Sequence, residues 1–165
     1  MRKKIVYIDM DGVIVNFARA KEDWFINNPD LKEKYEKHPD LIPDIFKDPL
    51  PINGAIEAII KLHHSGKYNL FIATTATWGN PEVATHKRKW IEKYFGDLFK
   101  KKMFITHRKD LLIGDYLIDD RLKNGAAEFT GELLSFGWAY EKNEWNKYRT
   151  WEDILKKLLL GITNI

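Results

Sequence analysis

Cysteine is absent from the 165 residues, which excludes disulfides and thiolate metal ligands and leaves a reducing compartment open to the chain. No apolar run approaches the roughly 20 residues that cross a bilayer. The run behind the basic start, in MRKKIVYIDMDG, is too short and too acidic for a secretory leader. A cytoplasmic protein with no membrane partner is expected. Charge of one sign is also missing. The 27 basic and 24 acidic residues leave a formal +3, and mixed runs such as KEKYEK and EKNEWNKYR read as solvated helix faces. With no basic block, a nucleic-acid polymer is not an expected partner. No internal repeat or low-complexity segment appears. The length suits one domain over 1–165, as a monomer or homodimer.

What is present is an alternation of short apolar runs with longer helical patterns, the mark of βαβ units and a parallel sheet. Strands are expected at 5–8, 69–74, 103–106, 116–118 and 133–136, with helices at 55–64, 81–94 and 150–160. Gly66 and Gly96 serve as helix stops, and Thr150 with Asp153 forms a plausible capping pair. The stretch from about 17 to 48 breaks the alternation. It holds Pro29, Pro39 and Pro43 and is too long for a bare loop. It directly follows the first strand, at the sheet edge where α/β proteins keep their ligands. A small helical cap is expected there, with a surface helical hairpin as the alternative.

Two strands end in acids: Asp9 and Asp11 in YIDMDG, and Asp119 and Asp120 in YLIDD. Alone, the first pair reads equally as a strand followed by an Asp-Gly turn. Together, the adjacent strand ends of one parallel sheet imply a metal site. Close carboxylates repel, and an all-oxygen donor set suits a hard divalent ion, magnesium above all. Its expected ligands are the side chains of Asp9 and Asp120 and the main-chain carbonyl of Asp11. Asp9 is the candidate nucleophile, and Asp11 the candidate general acid and base. Gly12 permits a tight turn behind them. Thr74 closes the second apolar strand, where a hydroxyl can meet a phosphoryl oxygen. Lys109, in THRKD, can neutralise charge in the transition state, although composition does not separate it from Arg108. Phe17 and Trp24 can stack on a base or pack the cap. The five histidines lack metal-binding spacing, and the tryptophans Trp78, Trp90, Trp138, Trp145 and Trp151 read as packing residues.

The order of these motifs matches the haloacid dehalogenase (HAD) pattern. DMDGVIVNF at 9–17 resembles the DMDGVLADF opening of the 5′(3′)-deoxyribonucleotidases, and the likeness continues through FKDPLPINGAIEAI, FIATTATW, HKRKWIEKYFG, RKDLLIGDYLIDDR and FGWAY. The resemblance implies a three-layer HAD-like Rossmannoid α/β domain with a small helical cap inserted after the first strand. It also implies a magnesium-dependent phosphomonoesterase hydrolysing 5′ or 3′ (deoxy)ribonucleotides through an aspartyl-phosphate. Asp9 falls on the nucleophile, Asp11 on the acid/base, Thr74 on the phosphate-binding hydroxyl, Lys109 on the stabilising cation and Asp120 on a magnesium ligand. Phe17 falls on the aromatic substrate contact, and Thr75 lies near the substrate, a nucleoside monophosphate. Asn16 and ATTA depart from the family's aspartate and C-T-S-P. The alternatives are a HAD phosphatase for another small ester such as a sugar phosphate, a phospho-accepting receiver-type domain, or a binding domain without catalysis.

Overall fold

The computed structural model describes residues 1–161, so the last four positions of the expected 1–165 domain lie outside the described residues. Five strands, β1 (Lys4–Ile8), β2 (Tyr68–Thr74), β3 (Met103–Ile105), β4 (Tyr116–Asp119) and β5 (Glu132–Ser135), form one parallel sheet in the order β3-β2-β1-β4-β5. The bounds differ from the sequence expectation by a residue or so at each end. β1 is central, and its run Val6, Tyr7, Ile8 is buried on both faces, as an interior parallel strand requires. Ile8 pairs with Ile72 of β2 and with Ile118 of β4. The residues that follow in all three strands therefore emerge side by side along one edge.

The described residues also form five α-helices: α1 (Phe17–Asn27), α2 (Lys32–Tyr35), α3 (Ala55–His64), α4 (Val83–Phe95) and α5 (Trp151–Leu155), the last continuing as a π-helical turn over Lys156–Leu160. Helix α3 has the bounds its apolar spacing predicts. The helices α3, α4 and α5 press Ile59 and Leu62, Trp90 and Phe95, and Trp151 and Ile154 onto the sheet face made by Val6, Ile8, Leu70 and Ile72. Each such side chain contributes about 1.5–3 kcal/mol by leaving water, so this face carries most of the fold's stability. The other face, with Tyr7, Ala73 and Leu117, is covered by Leu112, Ala126 and Phe129 from the connections flanking β4. Thr150 and Asp153 form the expected capping box. Trp90 and Trp151 are buried and Trp145 packs edge-on against Trp138 with centroids 5.1 Å apart, but Trp78 is 93% exposed, so the packing role expected of it does not hold. A two-strand hairpin, β6 (Trp138–Ala139) with β7 (Glu144–Trp145), was not expected from the sequence.

The segment between β1 and α3 is helical and packs apart from the main core. Helix α1 buries no residue fully; Asn16 caps its start by accepting from the Arg19 N–H at 3.2 Å. Ile42, Ile45 and Phe46 form a separate cluster with Val83 of α4, and Phe17, Trp24 and Tyr35 pack against it. Thr77 donates to Asp40 Oδ2 at 2.9 Å, and Asn80 Nδ2 to the Asp40 carbonyl at 3.2 Å. These contacts tie the segment to the loop that leaves β2, beside the acidic strand ends.

Candidate active site

The turn after β1 is built by the N–H groups of Val13, Ile14 and Val15, which converge on the Met10 carbonyl at 3.1, 2.8 and 2.9 Å. Gly12 takes φ +77°, and a Cβ there would lie 2.1 Å from Asp120 Oδ2. Both the backbone and the close approach of Asp120 require glycine. Lys109 arrives from a 3₁₀ turn, Lys109–Leu111, whose first N–H donates to the Asn124 carbonyl at 2.8 Å. Its side chain is buried, and Nζ donates to Asp9 Oδ1 at 3.0 Å and to Asp119 Oδ2 at 2.6 Å. Burial alone would lower the lysine's pKa; the two carboxylates outweigh it and raise the value. Asp119 also accepts from the Arg121 N–H at 3.1 Å. Its oxygens are therefore spent on orienting Lys109 and closing the loop.

Carboxylate oxygens of Asp9, Asp119 and Asp120 lie within 4.8 Å of one another, and two of the three side chains, Asp9 and Asp119, share the Lys109 ammonium. Two like charges about 4 Å apart repel by roughly 4 kcal/mol at an effective dielectric of about 20. Burial first, and then the charge of Asp9, push Asp119 and Asp120 well above the ordinary carboxylate range. The cluster is short of positive charge.

Asp11 sits on the other side of the turn. Its side chain keeps 29% of its surface exposed, yet Oδ1 is enclosed without a hydrogen-bond partner. Burial and Asp9 raise its pKa against the opposing pull of Lys87. Lys87 is the residue that reading the sequence missed. It comes from α4, is 2% exposed, and donates to Asp11 Oδ2 at 2.7 Å, Thr74 Oγ1 at 2.9 Å and the Thr75 carbonyl at 2.7 Å. A signal for it exists in the sequence: Val83, Lys87, Trp90 and Ile91 fall at i, i+4, i+7 and i+8, one buried helix stripe. Thr74, at the end of β2, is fully buried. The Phe46 ring lies 4.8 Å from Lys87 Nζ and stacks on Phe17, with centroids 5.1 Å apart and planes 6° apart. The structure thus gathers Asp9, Lys109, Asp119 and Asp120 in one cluster and Asp11, Thr74 and Thr75 around Lys87. Phe17 is reached through Phe46. His86, whose spacing in the sequence gives no metal-binding signal, is grouped with Asp44 and Glu82.

Solved proteins share this architecture. A Bacillus subtilis protein designated a HAD-hydrolase, YfnB, solved bound to magnesium, matches with a TM-score of 0.60 at 14% identity, covering 98% of this chain and 100% of its own. A HAD family hydrolase of Deinococcus radiodurans R1, with bound phosphate and sodium, gives 0.61 at 11% identity and covers 96% of each chain. The fold is that of the HAD hydrolases.

The sequence narrows the class further. The profile of the family described as 5′ nucleotidase, deoxy (Pyrimidine), cytosolic type C protein matches residues 18–161. A Vibrio phage KVP40 protein, to which 5′(3′)-deoxyribonucleotidase activity is ascribed by name, is 43% identical over 135 residues, 82% of this chain and 76% of its own. The 5′(3′)-deoxyribonucleotidase of Bacillus subtilis is 29% identical over 95% of this chain and 99% of its own, and the human cytosolic type 27% over 70% of each. The chain belongs to this nucleotidase family and is a phosphoric monoester hydrolase. No helix among the described residues is long and apolar enough to cross a membrane.

Proposed function

We propose that the protein hydrolyses 5′ or 3′ deoxyribonucleoside monophosphates in a magnesium-dependent reaction that passes through an aspartyl phosphate at Asp9. The observation that carries this reading is the Asp9–Lys109–Asp119 chain beside Asp120: one buried ammonium shared by two acids, with a third acid against Gly12. The donor set fits a hard divalent cation, since it offers closely spaced oxygens and too little positive charge. Asp9, Asp120 and the Asp11 carbonyl would hold the ion, which when bound supplies charge neutralisation for the nucleophile and the phosphoryl oxygens.

Asp9 attacks phosphorus, and the bond from phosphorus to the leaving oxygen breaks as Asp11 gives that oxygen a proton. Asp11 then takes a proton from the water whose oxygen attacks the phosphorus of the aspartyl phosphate; the phosphorus–Asp9 oxygen bond breaks, releasing inorganic phosphate and restoring Asp9. The Lys109 ammonium has three donors and meets two acceptors among the described residues, leaving one N–H for a phosphoryl oxygen. Phe17, stacked on Phe46, offers an aromatic surface for the base or sugar, and the 17–48 segment acts as the cap over the site. A cytoplasmic location accords with the cytosolic type named for the human relative.

Phosphate release from a panel of nucleotides and sugar phosphates, with magnesium and with chelator, tests the reading. Magnesium-dependent turnover of deoxyribonucleotides above sugar phosphates is expected. Phe17→Ala should then lower kcat/KM for nucleotides by about 1–3 kcal/mol, the range of base–aromatic stacking, and leave an aryl phosphate much less affected. Preference for a sugar phosphate, or equal losses in folded Phe17→Ala, would remove the nucleotide assignment.

A further inference from the structure

The proposed reaction gives Lys87 no task, although it is the most heavily engaged lysine near the acids. An ammonium carries three N–H donors and no acceptor. Lys87 spends all three, on Asp11 Oδ2, Thr74 Oγ1 and the Thr75 carbonyl, while the Phe46 ring covers it at 4.8 Å. Nothing remains for a phosphoryl oxygen, in contrast with Lys109. Two of the three acceptors belong to the end of β2, so Nζ is fixed to the sheet itself. The third is one oxygen of Asp11, whose backbone lies in the turn after β1. The other oxygen, Oδ1, is enclosed and unpartnered. A carboxyl group with one oxygen clamped in this way is held in one orientation.

We infer that Lys87 is a positioning residue: it ties Asp11 Oδ2 to the end of β2 and so fixes the carboxyl group that hands the proton to the leaving alkoxide and later takes one from water. The inference rests on the reading of Asp11 as general acid and base. The proton balance is that of the proposed reaction: Asp11 loses its proton as the phosphorus–leaving-oxygen bond breaks and regains one as water attacks the phosphorus of the aspartyl phosphate. Burying a lysine that touches no substrate is costly. Positioning the acid accounts for that cost, and a purely structural pairing makes a different prediction.

Lys87→Met, which keeps the volume and removes the donors, separates the two. With magnesium saturating, kcat for a nucleotide, whose alkoxide leaves poorly, should fall by about 10- to 100-fold, part of the 10²–10⁴-fold that a general acid supplies. An aryl phosphate, whose leaving group needs little protonation, should change much less. KM should move little for either. In an Asp11→Asn background the same substitution should add no further difference between the two substrates. Lys87→Gln, which retains a shorter donor, should show the same selectivity with a smaller loss, and it serves for the comparison if Lys87→Met does not fold. Equal losses on both substrates would assign Lys87 a structural role. A raised inhibition constant for inorganic phosphate would make it a phosphate ligand. Either result overturns the inference. A failure of the reading beneath it looks different: Asp11→Asn alone would then slow both substrates alike.

Discussion

Replacing Lys109 by methionine removes the one cation that Asp9 and Asp119 share. The three side chains lie at the bottom of the site, with Lys109 3% exposed, and Nζ is 3.0 and 2.6 Å from its two partners. Removing one member of a buried ion pair typically costs about 3–5 kcal/mol, because the remaining charge is stranded. The stranded acids can recover part of that only by binding a proton. Asp119 is already raised by burial and by Asp9, with Lys109 among the groups holding it down, so its pKa climbs further without the lysine. A carboxyl whose folded pKa lies above its unfolded value contributes stability at low pH and loses it as pH rises through the raised range. The deficit of Lys109→Met should therefore be smaller near pH 5 than near pH 8, where it approaches about 3–5 kcal/mol. With a urea m-value of about 2 kcal/mol per molar, that is a fall of roughly 1.5–2.5 M in midpoint at the higher pH. Urea unfolding of both proteins in chelator, followed by circular dichroism at the two pH values, measures it. An equal deficit at both pH values, or a loss under about 1 kcal/mol at pH 8, would refute the shared-ammonium argument.

Gly12→Ala should cost about 1–3 kcal/mol for its positive φ and should also displace the Asp120 carboxylate, weakening magnesium binding at least tenfold by calorimetry; unchanged affinity would remove Asp120 from the ligand set. Magnesium should raise the Tm of the wild-type protein more at pH 8 than at pH 5.5. The reason is that Asp119 and Asp120 are protonated more readily than ordinary acids, and protons compete with the ion. A stabilisation that shrinks as pH rises would contradict this.

The strands and their acidic ends were legible because interior parallel strands must be apolar runs, and only a use for charge explains carboxylates at their ends. Helix α3 was legible to the residue from Ile56, Ile59, Ile60 and Leu62, and the helical nature of the 17–48 stretch followed from its length and prolines. Lys87 escaped because it lies in HKRKW, where a lysine reads as solvated unless the buried stripe of the helix is traced through it. The task of Asp119 depends on a 3₁₀ turn that brings Lys109 to it, a contact that no local pattern announces. The β6–β7 hairpin has two-residue strands, too short for alternation to register. The stacking of Phe17 on Phe46 is a tertiary contact between two ends of the same segment, and composition alone left Phe17 divided between packing and substrate.

Trapping the covalent enzyme tests the central claim most directly. Wild-type protein mixed with excess deoxyribonucleotide and magnesium, quenched in acid within one turnover and digested for mass spectrometry, should carry a phosphate on the peptide containing Asp9. The adduct should be released by hydroxylamine, as an acyl phosphate is, and should be missing from Asp9→Asn. Turnover in wild type with no phosphorylated peptide under any quench time, or a phosphate that persists in Asp9→Asn, would contradict the account.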